Sequence, residues 1–289
     1  MQRSLRGILC LTFACAATLG LAACGGDDGG GTSTGGAAAT DDGGGGKTGG
    51  TISTAYTSFP DFLDPALSYT QEGWQSLWTV YTPLLTYKHA EGAEGATVVP
   101  GLAEAMPDIS ADGKTFKLKL RSGLKYSDGK AVKASDFEHT IKRVLNLESG
   151  GSSFYQGIAG AEKYIKGGKA KADISGIVTD DATGDITINL NEPDGRFPYI
   201  LTMDFAALVP GDTPFENQTK SPPPGVGPYK FENVRINRGY DLVKVADFNV
   251  PDQAVGKLDT IKVEIIKNRR RQTQDTIQNK IDYMNDPPA

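Results

Sequence analysis

Few side chains in this sequence are placed to do chemistry. Two histidines, His89 and His139, stand far apart, and the three cysteines, Cys10, Cys15 and Cys24, all lie near the start of the chain. A zinc site needs clustered ligands, and a nucleophilic site needs a base within reach. His89 beside Lys88 and His139 beside Glu138 read instead as surface or helix-capping residues. The acidic stretch Asp108–Asp112 lacks the ligand spacing of a calcium loop. Asp180, Asp181 and Asp185 around Gly184 have the composition of a hairpin turn. No Gly-x-Ser-x-Gly elbow, His-Glu-x-x-His helix or phosphate-cradling glycine loop occurs in the sequence. These residues call for no metal and no cofactor, and they argue against an enzyme. Paired carboxylates for glycoside hydrolysis are defined by a separation in space, so a membrane-anchored extracellular hydrolase is the alternative class.

Cys24 has a different character. Arg3 and Arg6 precede an apolar run, Gly7–Ala23, that exits through small residues, the pattern of a secretory signal peptide over residues 1–23. An uncleaved helix of ~20 residues could cross a bilayer, but the small-residue exit and the polar tail favour cleavage. Leu21-Ala22-Ala23-Cys24 resembles a bacterial lipobox. That resemblance implies cleavage before Cys24, a diacylglyceryl thioether on its sulfur and acylation of the new amino group. Two or more acyl chains at ~0.8 kcal/mol per buried CH₂ make a stable anchor. Cys10 and Cys15 leave with the signal, so the mature chain forms no internal disulfide and must be held by a core. Residues 24–50, rich in glycine, cannot bury enough apolar surface to order themselves and read as a flexible linker. Its reach is roughly 25–30 Å.

The formal net charge is −5 and the pI about 5.2, which excludes a basic nucleic-acid-binding domain. The basic run Arg269-Arg270-Arg271 reads as a solvated turn after a strand. From residue 51 onward the chain alternates strand and helix signals. Thr51–Tyr56 is β-prone. Trp74, Leu77, Trp78 and Tyr81 have helical spacing within Gly73–Leu85. Thr115–Arg121 alternates apolar and basic residues after the Asp112-Gly113 turn, as a half-buried strand does, and Asp128-Gly129 marks a second tight turn. Ser135 with Glu138 has capping-box spacing, and Phe137, Ile141, Val144 and Leu145 form the buried stripe of the helix that follows. Strands are expected at Ile186–Leu190, Asp241–Val245 and Ile261–Ile266, then a helix near Thr273–Asn279 and a strand at Ile281–Met284. The fold class is α/β, in a mixed α+β sense.

Several short motifs fall in a consistent order. They are Leu63-Asp64-Pro65, Tyr81-Thr82-Pro83-Leu84-Leu85, Val99-Pro100-Gly101-Leu102-Ala103-Glu104, Asp112-Gly113-Lys114 with Phe116–Arg121, and Gly123–Lys130 with Ala134–Asp136. Gly225-Val226-Gly227-Pro228-Tyr229 and Lys280-Ile281-Asp282-Tyr283 follow. Together they resemble the extracellular solute-binding proteins of family 5, which serve bacterial ABC importers for peptides, dipeptides and nickel. Valine at 226 replaces the family's threonine, and Lys280 replaces an acidic residue. The resemblance implies a two-lobed, periplasmic-binding-protein-like fold of the large peptide-binding type, truncated before most of the second lobe. On that plan residues 51–85 open the first lobe, 86–195 form its smaller subdomain and 196–289 continue it to the hinge. The implied function is capture of a peptide or related small solute and delivery to a permease with its ATPase. The implied state is a lipid-anchored monomer at the outer face of the cytoplasmic membrane. The loop after Asp64-Pro65 resembles the cleft segment, which implies ligand contacts from Ser68, Tyr69 and Thr70. Tyr155 is implied as a second contact, and Asn285 at the presumed hinge as a third.

Overall fold

A computed structural model describes residues 48–167 and 172–287. The signal segment, Cys24 and most of the linker lie outside the described residues. The linker stretch ends before Gly50, its expected limit. Gly49 donates its N–H to the Lys257 carbonyl at 2.7 Å and Gly50 donates to the Asp259 carboxylate at 2.8 Å. Both glycines have positive φ, 88° and 83°, a region that side chains with a Cβ rarely enter.

The strands are β1 (Thr51–Tyr56), β2 (Leu85–Tyr87), β3 (Val98–Pro100), β4 (Asp108–Ile109), β5 (Thr115–Lys119), β6 (Ile177–Asp180), β7 (Asp185–Asn189), β8 (Tyr229–Arg235), β9 (Gly239–Lys244), β10 (Thr260–Ile265) and β11 (Tyr283–Met284). The helices are α1 (Gln71–Val80), α2 (Ser135–Asn146), α3 (Ser152–Tyr155), α4 (Ala161–Lys166), α5 (Phe197–Ile200) and α6 (Arg269–Ile277). The principal sheet has the order β11-β1-β10-β9-β8. In it β1 runs parallel to both β10 and β11, while β9 is antiparallel to its neighbours. A second, antiparallel sheet has the order β4-β5-β7-β6, and α2 packs its stripe Phe137, Ile141, Val144 and Leu145 into the core beneath it. β2 and β3 form a short hairpin-like pair.

Most expected elements are present, with instructive shifts. The helix expected over Gly73–Leu85 stops at Val80. Tyr81 is already extended, at φ −124° and ψ 133°, and Pro83 disfavours the helical region for Thr82 just before it, so the helix cannot run on to Leu85. Trp78, expected on the buried stripe, is 48% exposed. The capping box does not form. Ala134 is helical, and Ser135 gives its backbone N–H and hydroxyl to Asp181 at 2.8 and 2.9 Å. Glu138 meanwhile accepts from the Ile174 N–H and pairs with Lys142. The tertiary partners outcompete the local ones. Instead Asp136 holds the helix start, accepting from the Lys133 N–H and from the Tyr126 hydroxyl. The arginine run is likewise no turn. Asn268 caps α6 by accepting from the Arg271 N–H, so the three arginines form its first turn. Arg269 pairs with Asp286 and Arg271 with Asp275. β8 carries no expected alternation because a bulge shifts its register between Glu232 and Arg235.

Candidate functional site

The loop that leaves β1 is built on two aspartates. Asp61 Oδ1 accepts from the Phe62 N–H at 2.8 Å and from the hydroxyls of Ser68 and Thr70, both at 2.9 Å. Its Oδ2 accepts from the Tyr69 N–H at 2.7 Å. One carboxylate therefore ties the whole turn, as short polar side chains do in loops. The turn is sealed onto α1. Trp74 donates its indole N–H to the Ser68 carbonyl at 2.8 Å, and a Cβ on Gly73 would lie 2.0 Å from the Ser68 hydroxyl. Only glycine fits there.

Asp64 anchors the other end of the loop. It is fully buried and forms a two-pronged ion pair with Arg143 of α2, at 3.0 and 2.7 Å. It also accepts the Ala66 and Gln218 N–H groups. Arg143 also donates to the carbonyls of Pro214 and Glu216. The planar guanidinium suits such a paired geometry. Leu63-Asp64-Pro65 is thus a clamp that joins the loop to α2 and to the 214–218 segment.

On this support stands a group of aromatic rings. Tyr69 is 57% exposed, with its ring 6.2 Å from Trp74 and 5.7 Å from Phe205. Phe205 lies in a single 3₁₀ turn, Asp204–Ala206, and also touches Trp74 and Phe154. A Cβ on Gly151 would meet the Phe205 ring at 2.6 Å, so the start of α3 lies directly against it.

The expected contact residues separate on inspection. Ser68, Tyr69 and Thr70 share the Asp61 turn, but only Tyr69 offers a free surface. Ser68 is fully buried with its hydroxyl on Asp61. Thr70 is the N-cap of α1, accepting from the Gly73 N–H while donating to Asp61. Tyr155 is also fully buried, with its hydroxyl on the Ile200 carbonyl at 3.3 Å. Burial, then the charge of Asp204, pushes its phenol up. It belongs to the core, while its neighbour Phe154 packs on Phe205. Tyr155→Phe is therefore expected to cost ~1 kcal/mol of stability, the worth of one buried hydrogen bond. Solute affinity should be unchanged, which urea unfolding and titration together would check.

Asn285 donates its N–H to the Ala55 carbonyl at 3.0 Å. It follows β11, whose Met284 is paired with Ala55, so it stands at the end of β1 from which the Asp61 loop departs. The carboxyl ends of the parallel strands β1, β10 and β11 thus share one edge, the usual place for a ligand crevice in an open α/β sheet. Asp64 belongs to the Leu63-Asp64-Pro65 motif, but Asp61, Arg143 and Asp204 carry no signal in the linear pattern. Each is one acidic or basic residue among many, made distinctive only by what it faces.

The histidines stay apart from this edge. His139 bonds to the Thr213 carbonyl at 2.9 Å and packs on Phe215. His89 packs on Trp78 and accepts from the Ala254 N–H. Burial lowers the pKa of both. Among the described residues no three histidine, cysteine or acidic side chains are grouped to hold a metal, and no helix is long and apolar enough to cross a membrane.

Comparison with known proteins places this architecture. Residues 97–289 match the bacterial extracellular solute-binding proteins, family 5 Middle. The dipeptide-binding protein DppE of Bacillus subtilis is 27% identical over 221 residues, covering 74% of this chain and 39% of that protein. A dipeptide-binding protein of Escherichia coli is 32% identical over 119 residues, 39% of this chain and 21% of that one. Among solved structures, clavulanic acid biosynthesis oligopeptide binding protein 2 superposes with a TM-score of 0.73 at 23% identity, covering 81% of this chain and 43% of that one. DppA from Helicobacter pylori in complex with the peptide STSA superposes at 0.64 with 23% identity, covering 83% and 47%. The chain spans about two fifths of the length of DppE. With a mixed α/β body of the peptide-binding-protein fold and a family match over most of its length, this chain belongs to the bacterial extracellular solute-binding proteins of family 5.

Proposed function

We propose that this protein captures a peptide, or a related small solute, outside the cytoplasmic membrane and hands it to an ABC permease powered by its ATPase. The observation that carries this reading is the Asp61-tied turn after β1, which leaves Tyr69 exposed in a chain of this family. Tyr69 and Asn285 are the contacts we assign on this lobe. A rigid turn beside exposed strand ends suits a peptide main chain, which can be bonded by backbone groups without reading its side chains. Closure of a second lobe about a hinge would then bury the solute from both sides.

The signal segment and Cys24 supply the address. On this reading Cys24 carries the lipid, the glycine-rich stretch tethers the body as a monomer at the outer face of the cytoplasmic membrane, and tethering keeps it concentrated near its permease. Cys24→Ser is expected to leave export intact and to move the protein from the membrane fraction into the soluble fraction. Retention in the membrane fraction would point to an uncleaved helix. Capture itself is tested by native mass spectrometry of the protein isolated from cell envelopes. Peptide adducts are expected on the intact chain. Adducts of a different chemical class would overturn the peptide assignment, and cleavage of added peptides would favour a hydrolase.

A further inference from the structure

The turn that carries Phe205 also holds a carboxyl group that no other described residue engages. Asp204 is 5% exposed and has no side-chain hydrogen bond or ion pair among the described residues. Its oxygens are not among the unpaired side-chain atoms fully closed to solvent, which are Thr54 Oγ1, Gln253 Nε2 and Gln272 Oε1. A narrow window to solvent therefore remains. Among the described residues the fully buried cation, Arg143, is committed to Asp64. The titratable groups that feel Asp204 are the phenols of Tyr81 and Tyr155, and neither supplies a positive charge.

An unpaired carboxylate so deeply buried is costly, and proteins keep such groups mainly where a ligand or a reaction uses them. The rings bordering the same turn narrow the choice of ligand. Phe205 follows Asp204 directly and contacts Tyr69, Trp74 and Phe154. Aromatic faces attract cations and also cover an aliphatic stem. We propose that Asp204 is a recognition group for a cation carried on an apolar stem, namely the ammonium or guanidinium of a lysine or arginine side chain in the captured solute. This rests on the reading of the chain as a solute-capturing protein.

Burial raises the Asp204 carboxyl to about 8, so at neutral pH it is largely protonated and must release its proton to receive the cation. Apparent affinity should then rise nearly tenfold for each step of one in pH below that midpoint, because only the ionised fraction is competent to bind.

The test uses the full chain, with the Asp204 carboxyl carbon followed by NMR from pH 5 to 10 and n-butylammonium as the probe, n-butanol as its neutral counterpart. The expected result is a midpoint lower by about one in pH, or more, with the amine, no change with the alcohol, and amine binding that is nearly tenfold tighter at pH 7 than at pH 6. Asp204→Asn should abolish the amine-induced changes in the Tyr69 ring signals. An unmoved midpoint at saturating amine, or equal amine binding by Asp204→Asn, would overturn the proposal, and the wild-type titration decides even if the variant folds poorly. Trialanine against trilysine separates this from the broader reading. If trialanine binds and trilysine gains nothing, Asp204 is not the recognition group although peptide capture stands. If the amine moves the Asp204 midpoint while no peptide binds, the subsite stands and peptide capture fails.

Discussion

Asp64→Ala is expected to destabilise the folded body by about 3–5 kcal/mol, because it leaves the Arg143 guanidinium buried without its counter-ion. Arg143 and Asp64 are both shut off from solvent, so water cannot replace the lost partner. The carbonyls of Pro214 and Glu216 still accept from the arginine, but they bring only partial charge. For a body of this size the loss corresponds to a fall in Tm of roughly 10 °C. The same pair need not be a large net stabiliser, since apolar residues of similar volume often replace a buried ion pair at little cost. Asp64→Leu combined with Arg143→Met is therefore expected to recover much of the stability lost in Asp64→Ala. Urea unfolding of the single and double variants measures both. A loss below about 1 kcal/mol in Asp64→Ala would show that the loop is held by the Asp61 turn alone.

The second large effect concerns Asp204 and pH. Its carboxyl titrates near 8 in the folded protein against 3.8 for the ordinary group, with burial as the cause. Between those values the folded chain keeps a proton that the unfolded chain has released. The contribution of this group to stability is therefore highest below about pH 4, declines as pH rises toward 8 and levels off beyond. A tenfold difference in proton affinity between folded and unfolded chains is worth ~1.4 kcal/mol, which sets a ceiling of about 6 kcal/mol. Local relaxation that lets water reach the ionised group brings the expected loss to about 2–4 kcal/mol. Asp204→Asn removes the titration while keeping the shape, so its stability should fall less between pH 4.5 and 8 by that amount. Parallel stability curves for the two proteins would show that Asp204 ionises in the fold without penalty.

Much of this fold is written in local patterns. The alternation of Phe116, Leu118 and Leu120 against lysines and arginine announces β5, and the stripe from Phe137 to Leu145 announces α2, because period and burial coincide there. The Gly184 turn and the Asp112-Gly113 turn are legible for the same reason. The departures come where distant partners prevail over neighbours. Ser135 has cap-forming chemistry, yet Asp181 claims it. Asn268 turns an arginine run into a helix start, and a bulge hides β8. The site is less legible than the scaffold. The loop after Asp64-Pro65 stands out by its motif, and Tyr69 with it, but the division of labour within it does not. Ser68, Thr70 and Tyr155 have the side chains of ligand contacts, while their surroundings use those side chains for structure. Asp61 and Arg143 look like ordinary charged residues until the fold shows what each one holds. Asp204 is the extreme case, since its character comes wholly from burial.

The most direct test of peptide capture uses Trp74, which lies against Tyr69 and Phe205 and should sense a solute settling on that surface. Tryptophan fluorescence of the full chain is titrated with a mixed pool of short peptides up to millimolar concentration, alongside Tyr69→Ala. A saturable change is expected in the wild type. Tyr69→Ala is expected to bind more weakly by about 1–3 kcal/mol, as for truncation of an aromatic anchor at an interface, with the Tm of the empty protein nearly unchanged. No saturable change in the wild type, or equal affinity in Tyr69→Ala, would contradict capture on that surface.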